Sequence, residues 1–163
     1  MGTKSQRPQL TLVVFLTAIV LTMPARASSV EIPSLVHYSE IILFGKTVSV
    51  SCQWAEDTPC IVSQAAFQVE NCLRGNYRSG DVVTIESEGG EINGMKQRVP
   101  NAPTFTRGQY AFVFLNSKSN GRLSVPYGVE GVISCSKQGK KMVARNGKAL
   151  EQIIEEVKEA MGE

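Results

Sequence analysis

The stretch "GGEINGMKQRVPNAPTFTRGQYAFVFL", Gly89–Leu115, decides the fold. Gly89-Gly90 and Asn93-Gly94 are hairpin signals, because the tight turns that join antiparallel strands need positive φ. Pro100 and Pro103 lack the backbone donor that a central strand requires, so the segment between the hairpin and Gly108 reads as a connecting strap. Phe105 is its only large apolar residue and is expected to plug the end of a barrel. Tyr110–Leu115 is apolar on both faces, the pattern of a strand covered on both sides. No Gly-Lys-Ser/Thr follows the glycines and no helix pattern starts there, so they serve backbone corners rather than phosphate binding.

Outward from this stretch the chain alternates strands and turns. "EIILFGKTVSVSCQW" reads as a strand, with Val48, Val50 and Cys52 alternating against Thr47, Ser49 and Ser51, and Gly45 marks a bulge. Ile61–Leu73 and Val82–Ser87 follow, then Gly131–Ser136 and Lys141–Arg145 around a "KQGK" turn. Pro33 opens a short helix over Ser34–Ser39. Near the C-terminus the period changes: Leu150, Ile153, Ile154, Val157 and Met161 share one helical face, which places an amphipathic helix over 149–161. These elements predict a mainly β fold, a small antiparallel Greek-key (OB-like) barrel with a short N-terminal helix and a C-terminal amphipathic helix, in one domain over 28–163.

Residues 1–27 read as a signal peptide. Lys4 and Arg7 precede the uncharged run Leu10–Met23, which is shorter than the roughly 20 residues of a membrane-spanning helix, and Ala25-Arg26-Ala27 ends it with cleavage expected after Ala27. The expected destination is secreted or periplasmic, with no membrane association after cleavage. The whole chain carries a formal charge of +2, from 17 basic and 15 acidic residues. Loss of Lys4, Arg7 and Arg26 leaves the acidic residues in slight excess, a balance that does not draw a protein to nucleic acid. Four cysteines in an exported chain suggest two disulfides, and three pairings are open; Cys52–Cys60 and Cys72–Cys135 are favoured because the first pair flanks a short polar loop.

Several spaced motifs agree in order. They are Leu73-Arg74-Gly75, Gly80-Asp81 with Val83-Thr84-Ile85, Gly89-Gly90, Gly94, Gln97-Arg98-Val99, Ala102-Pro103, Phe105, Gly108 and Phe114-Leu115. With them the chain resembles, over Leu35–Arg145, a bacterial secreted domain of unknown function. That domain is similar to the OB-type barrel of tissue inhibitors of metalloproteinases and netrin-like modules. The inhibitors of that group chelate the protease zinc through an N-terminal cysteine. Here the expected mature start is Ser28 and the first cysteine is Cys52, so the resemblance implies the barrel and not the inhibitory activity.

The residues offer little reactive chemistry. His37 is the only histidine and has no nucleophile motif beside it, and one histidine with dispersed cysteines makes no zinc site, so neither metal nor cofactor is expected. Asp57 and Asp81 fall in turns. Glu86, Glu88 and Glu91 offer carboxylates for a small hydrolase, but Trp54 is the only tryptophan for a sugar platform. Lys137, Lys140, Lys141, Arg145 and Lys148 form a basic hairpin region. The reading that follows is a non-enzymatic interaction domain that binds a protein partner or envelope component. The alternative is a carbohydrate or polyanion binder using Trp54, Tyr127, Lys140 and Lys141, and a small hydrolase comes third.

Overall fold

The computed structural model describes Gly2, residues 31–56 and residues 58–162. The signal peptide expected over 1–27, its cleavage point and Asp57 lie outside the described residues. Among the described residues the elements start with helix α1 (Ile32–Tyr38) and continue through β1 (Ile41–Trp54), β2 (Ile61–Arg74) and β3 (Val82–Glu88). A small hairpin of β4 (Gly90–Ile92) and β5 (Met95–Gln97) comes next, then β6 (Tyr110–Ser117), β7 (Leu123–Ser124), a 3-10 turn (Gly128–Gly131), β8 (Val132–Gln138), β9 (Lys141–Ala144) and α2 (Leu150–Met161).

Seven strands form one mixed sheet in the order β1-β2-β3-β7-β6-β8-β9, and β6 also pairs with β1. The expectation of a wholly antiparallel sheet is corrected at one seam. β7 runs parallel to β3, with Ile85 opposite Leu123 and Glu86 opposite Ser124. β7 doubles back from β6 through a tight loop and so meets β3, an earlier strand, running the same way.

The long strands form as their residues dictate. β6 feeds two apolar clusters by simple alternation. Ala111, Val113 and Leu115 join Ile41, Leu43, Phe67, Ile85 and Phe105 on one side of the sheet. Phe112 and Phe114 join Ile42 and Phe44 on the other side, where Leu35 and Val36 of α1 and Ile153 and Val157 of α2 cover them. Both-face burial explains why β6 lacks any polar alternation. Each fully buried Phe or Leu contributes about 1.5–3 kcal/mol of transfer free energy.

Gly45 marks the bulge that its position suggests. The β1–β2 register shifts between Phe44 and Gly45, and a Cβ there would sit 2.1 Å from the Gln68 carbonyl oxygen. At the β4–β5 turn, Asn93 and Gly94 both take positive φ (51° and 80°), as a two-residue hairpin turn demands. The guanidinium of Arg74 ends α1 by donating to the Val36 carbonyl and, at 2.8 Å, to the Ser39 carbonyl, both left without helical donors. At the start of α2, Gln152 Oε1 accepts from the Ala149 amide at 2.9 Å, and Gly162 closes the helix in the left-handed region.

Candidate binding surface

The side chains singled out in the sequence lie on three separate loops. Trp54 ends β1 at the tip of the β1–β2 hairpin and is 47% exposed. Tyr127 precedes the 3-10 turn and leans on α1, its hydroxyl donating to the Ser34 carbonyl at 3.4 Å and its ring 6.1 Å from Tyr38. Desolvation first, and the neighbouring Tyr38 second, raise its pKa above the ordinary phenol value. Lys140 and Lys141 are exposed at the β8–β9 turn. All of β8 separates that turn from Tyr127, a span of about 20 Å at the usual strand rise.

The basic hairpin region is also divided. Lys148 turns to α2 and pairs with Glu156 at 2.6 Å. Arg145 lines a groove of about 660 Å3 between α1, the 3-10 turn and β8. Lys137 instead lies 5.8 Å from the centre of the Tyr110 ring, and Lys46 of β1 lies 5.4 Å from the same ring. Lys46 and Tyr110 escaped the sequence reading because they sit inside strands that read as apolar. The signal for them is tertiary, since Lys46 is opposite Tyr110 only in the β1–β6 register.

The hydrolase candidates do not converge into an acid and a base. His37 packs edge-on against Tyr38 at 4.6 Å on the exposed side of α1. Glu86 is held by Lys118 at 2.6 Å and Arg122 at 2.8 Å. Desolvation pushes its pKa up, but the hydrogen bonds and charges of Lys118 and Arg122 together outweigh it and leave the carboxyl below its ordinary value. A carboxylate so held is a poor proton donor at neutral pH. Glu88 and Glu91 are exposed, and Glu91 faces Lys96 at 3.9 Å.

The favoured pairings Cys52–Cys60 and Cys72–Cys135 are not formed in this structure. All four cysteines carry free thiols in this structure. Cys52 lies opposite Ser63 and Trp54 opposite Ile61, which places Cys60 beyond Trp54 across from Ala55. Cys52 and Cys60 are therefore offset by three residues, about 10 Å along the strand, more than a disulfide spans. Cys72 packs against the Phe67 cluster and Cys135 lies in the Phe112 cluster, on the opposite side of the sheet. Burial raises the Cys135 thiol to about 11, offset only in part by a backbone hydrogen bond from Phe112.

The groove along the second half of β1 was not legible in the sequence. It holds about 560 Å3 between Val50 and Cys52 on one wall and Ala102–Phe105 on the other, with the β4–β5 hairpin across one end. Ser49, Val50 and Ser51 are all exposed beside it. Among the described residues, no three His, Cys, Asp or Glu side chains gather into a metal-binding group, and no helix is long and apolar enough to cross a membrane. In comparisons with known proteins, the chain matches no family model and no curated protein.

Proposed function

We propose that this chain is an exported, non-enzymatic interaction domain, acting in the periplasm or outside the cell, that binds a protein partner or envelope component through its loops. The leader-like residues 1–27 support export. The circuit of pairings β1-β2-β3-β7-β6 and back to β1 supports a barrel of the OB type, as does the sequence resemblance to metalloproteinase-inhibitor and netrin-like barrels. The observation that carries the interaction reading is the large apolar side chains exposed at hairpin tips. Trp54 is 47% exposed at the β1–β2 tip and Met95 is 58% exposed at the β4–β5 tip. Exposed aromatic and methionine side chains at loop ends are typical anchors of protein interfaces.

Affinity capture from the exported fraction, near physiological salt, tests it. The expected result is one identified protein retained by the wild type and lost with Trp54→Ala. Failure to retain any protein, together with hydrolytic turnover that disappears on replacing His37, Glu86 and Glu88, would replace this reading with the small hydrolase.

The polyanion alternative has its own support in Lys46 and Lys137, which flank the half-buried Tyr110 ring beside the exposed Lys140 and Lys141. Heparin retention that falls with Lys140→Glu and Lys141→Glu would favour it.

A further inference from the structure

β1 has two halves with different neighbours. Ile42–Lys46 is paired on both edges, with β2 on one side and with β6 on the other, ending at Lys46 opposite Tyr110. Thr47 continues that second edge for one more step, donating to the Gln109 carbonyl at 2.9 Å and accepting from the Gly108 amide at 2.7 Å. The β1–β2 register then shifts between Thr47 and Ser49. A bulge increases twist and swings the strand away from its old neighbour. From residue 48 to 54, among the described residues, the backbone pairs with β2 alone.

That open edge is unusual in its sequence. It reads Val-Ser-Val-Ser-Cys-Gln-Trp, Val48–Trp54, with no charge and no proline. Exposed edges are ordinarily blunted by lysine, by proline, by shortness or by a covering element, because a free row of N–H and C=O groups is a template for another strand. This one keeps about 20 Å of uncharged backbone edge, the full length of an average strand of five or six residues. Its alternation also has a receiving wall. Val50 and Cys52 face a groove of about 560 Å3 whose far side is Ala102–Phe105, with Phe105 buried at its base.

We propose that the free edge of β1 is a strand-addition site that takes an extended segment of a partner protein, with uncharged apolar residues at every second position. This rests on the interaction reading above and names the partner's chemistry. An added strand continues the ladder that β6 leaves at Thr47, and its main chain supplies the donors and acceptors the edge lacks. Alternate side chains enter the groove between Val50, Cys52 and Phe105, and the others face solvent. The charged groups at the rim, Lys96 and Arg98 against Glu88 and Glu91, balance one another and do not select a charged segment. A second copy of this chain fits less well, because its own 102–105 strap and β4–β5 hairpin flank its edge and would compete for the same space.

The test selects displayed random decapeptides against the full chain and measures binding of the enriched peptide by fluorescence anisotropy. The expected peptides carry apolar residues at a two-residue period. Their binding falls at least tenfold with Val50→Lys and with Ser51→Pro, and when alternate backbone amides of the peptide are N-methylated. On binding, amide exchange slows at residues 48–54. Thermal melting checks that each variant folds; should Ser51→Pro not fold, Val50→Lys and the N-methylated peptides decide. Binding that ignores all three changes, with protection at another surface, overturns strand addition and leaves the interaction reading standing. Absence of any enriched peptide, together with no partner retained in affinity capture, removes both. A dimer that forms with rising concentration and is lost with Val50→Lys gives the edge to a second copy and overturns the foreign segment.

Discussion

Arg122 donates to Glu86 at 2.8 Å beside the seam where β7 runs parallel to β3. Lys118, from the same loop before β7, reaches the other carboxylate oxygen at 2.6 Å. That seam is only two residue pairs long, so it gains little from its own ladder. Two cations on one carboxylate fix the β6–β7 loop to β3 where backbone pairing is thinnest.

Glu86→Gln is therefore expected to lower stability by about 1–2 kcal/mol, above the median for an exposed pair because the carboxylate is largely covered and doubly bonded. The folded carboxyl has a lowered pKa, so its contribution is complete above the ordinary glutamate value and is lost as pH falls through the folded value. Melting temperatures of wild type and Glu86→Gln should differ at pH 7 and converge in acid. A constant difference down to pH 2 would contradict this assignment.

Phe112 is fully buried among Phe44, the helices and β8, and stands 5.0 Å from the Phe44 ring. Phe112→Ala is expected to cost about 3–5 kcal/mol, through lost transfer free energy and the cavity left behind. Urea denaturation followed by circular dichroism measures it. A loss under about 1 kcal/mol would mean that the two helices do not cover this face.

Gly45 and Gly94 separate two reasons for glycine. Gly45→Ala places a methyl against the Gln68 carbonyl inside the β1–β2 pairing, so a loss of several kcal/mol or failure to fold is expected. Gly94 has open space and needs only its positive φ, so Gly94→Ala should cost about 1 kcal/mol. Comparing the two by denaturant midpoint checks the bulge directly.

Arg74→Ala removes the donor to the last carbonyls of α1 and should destabilise by about 1–2 kcal/mol, with faster amide exchange confined to Ile32–Tyr38. Arg74→Lys should rescue only in part, because an ammonium does not present the guanidinium's fixed fork. Equal exchange in wild type and Arg74→Ala would show that apolar packing alone holds α1.

The thiols should alkylate in order of exposure. Cys135 is buried with its pKa raised to about 11, so iodoacetamide at pH 8 should leave it unmodified in the native protein while Cys52 and Cys60 react. Peptide mass spectrometry after a timed pulse reads this out. Resistance of all four until a reductant is added would establish disulfides and overturn the free-thiol state.

Local chemistry was enough for the elements themselves. Alternation in Val48–Cys52 and Ile61–Leu73 marked strands, the Asn93-Gly94 pair marked its turn, and the 3.6-residue spacing of Ile153 and Val157 marked α2, because each pattern is set by neighbours in the chain. The doubly apolar Tyr110–Leu115 even announced a strand buried on both faces. Boundaries shifted by one or two residues, as at α1, where Pro33 lies inside the helix rather than before it. Relations between distant residues were not legible. Cys52 and Cys60 look like a pair in sequence, and only the Trp54–Ile61 register offsets them. Lys46 joins Lys137 at Tyr110, and the edge of β1 opens after Thr47, because β6 departs there at a bulge. Periodicity marked the strand at Val48–Cys52 but not its buried face, since Val50 is exposed while Thr47 is buried. Which strand lies beside it, and where that partner leaves, depends on twist and register accumulated over the whole sheet, and that was decided only in three dimensions.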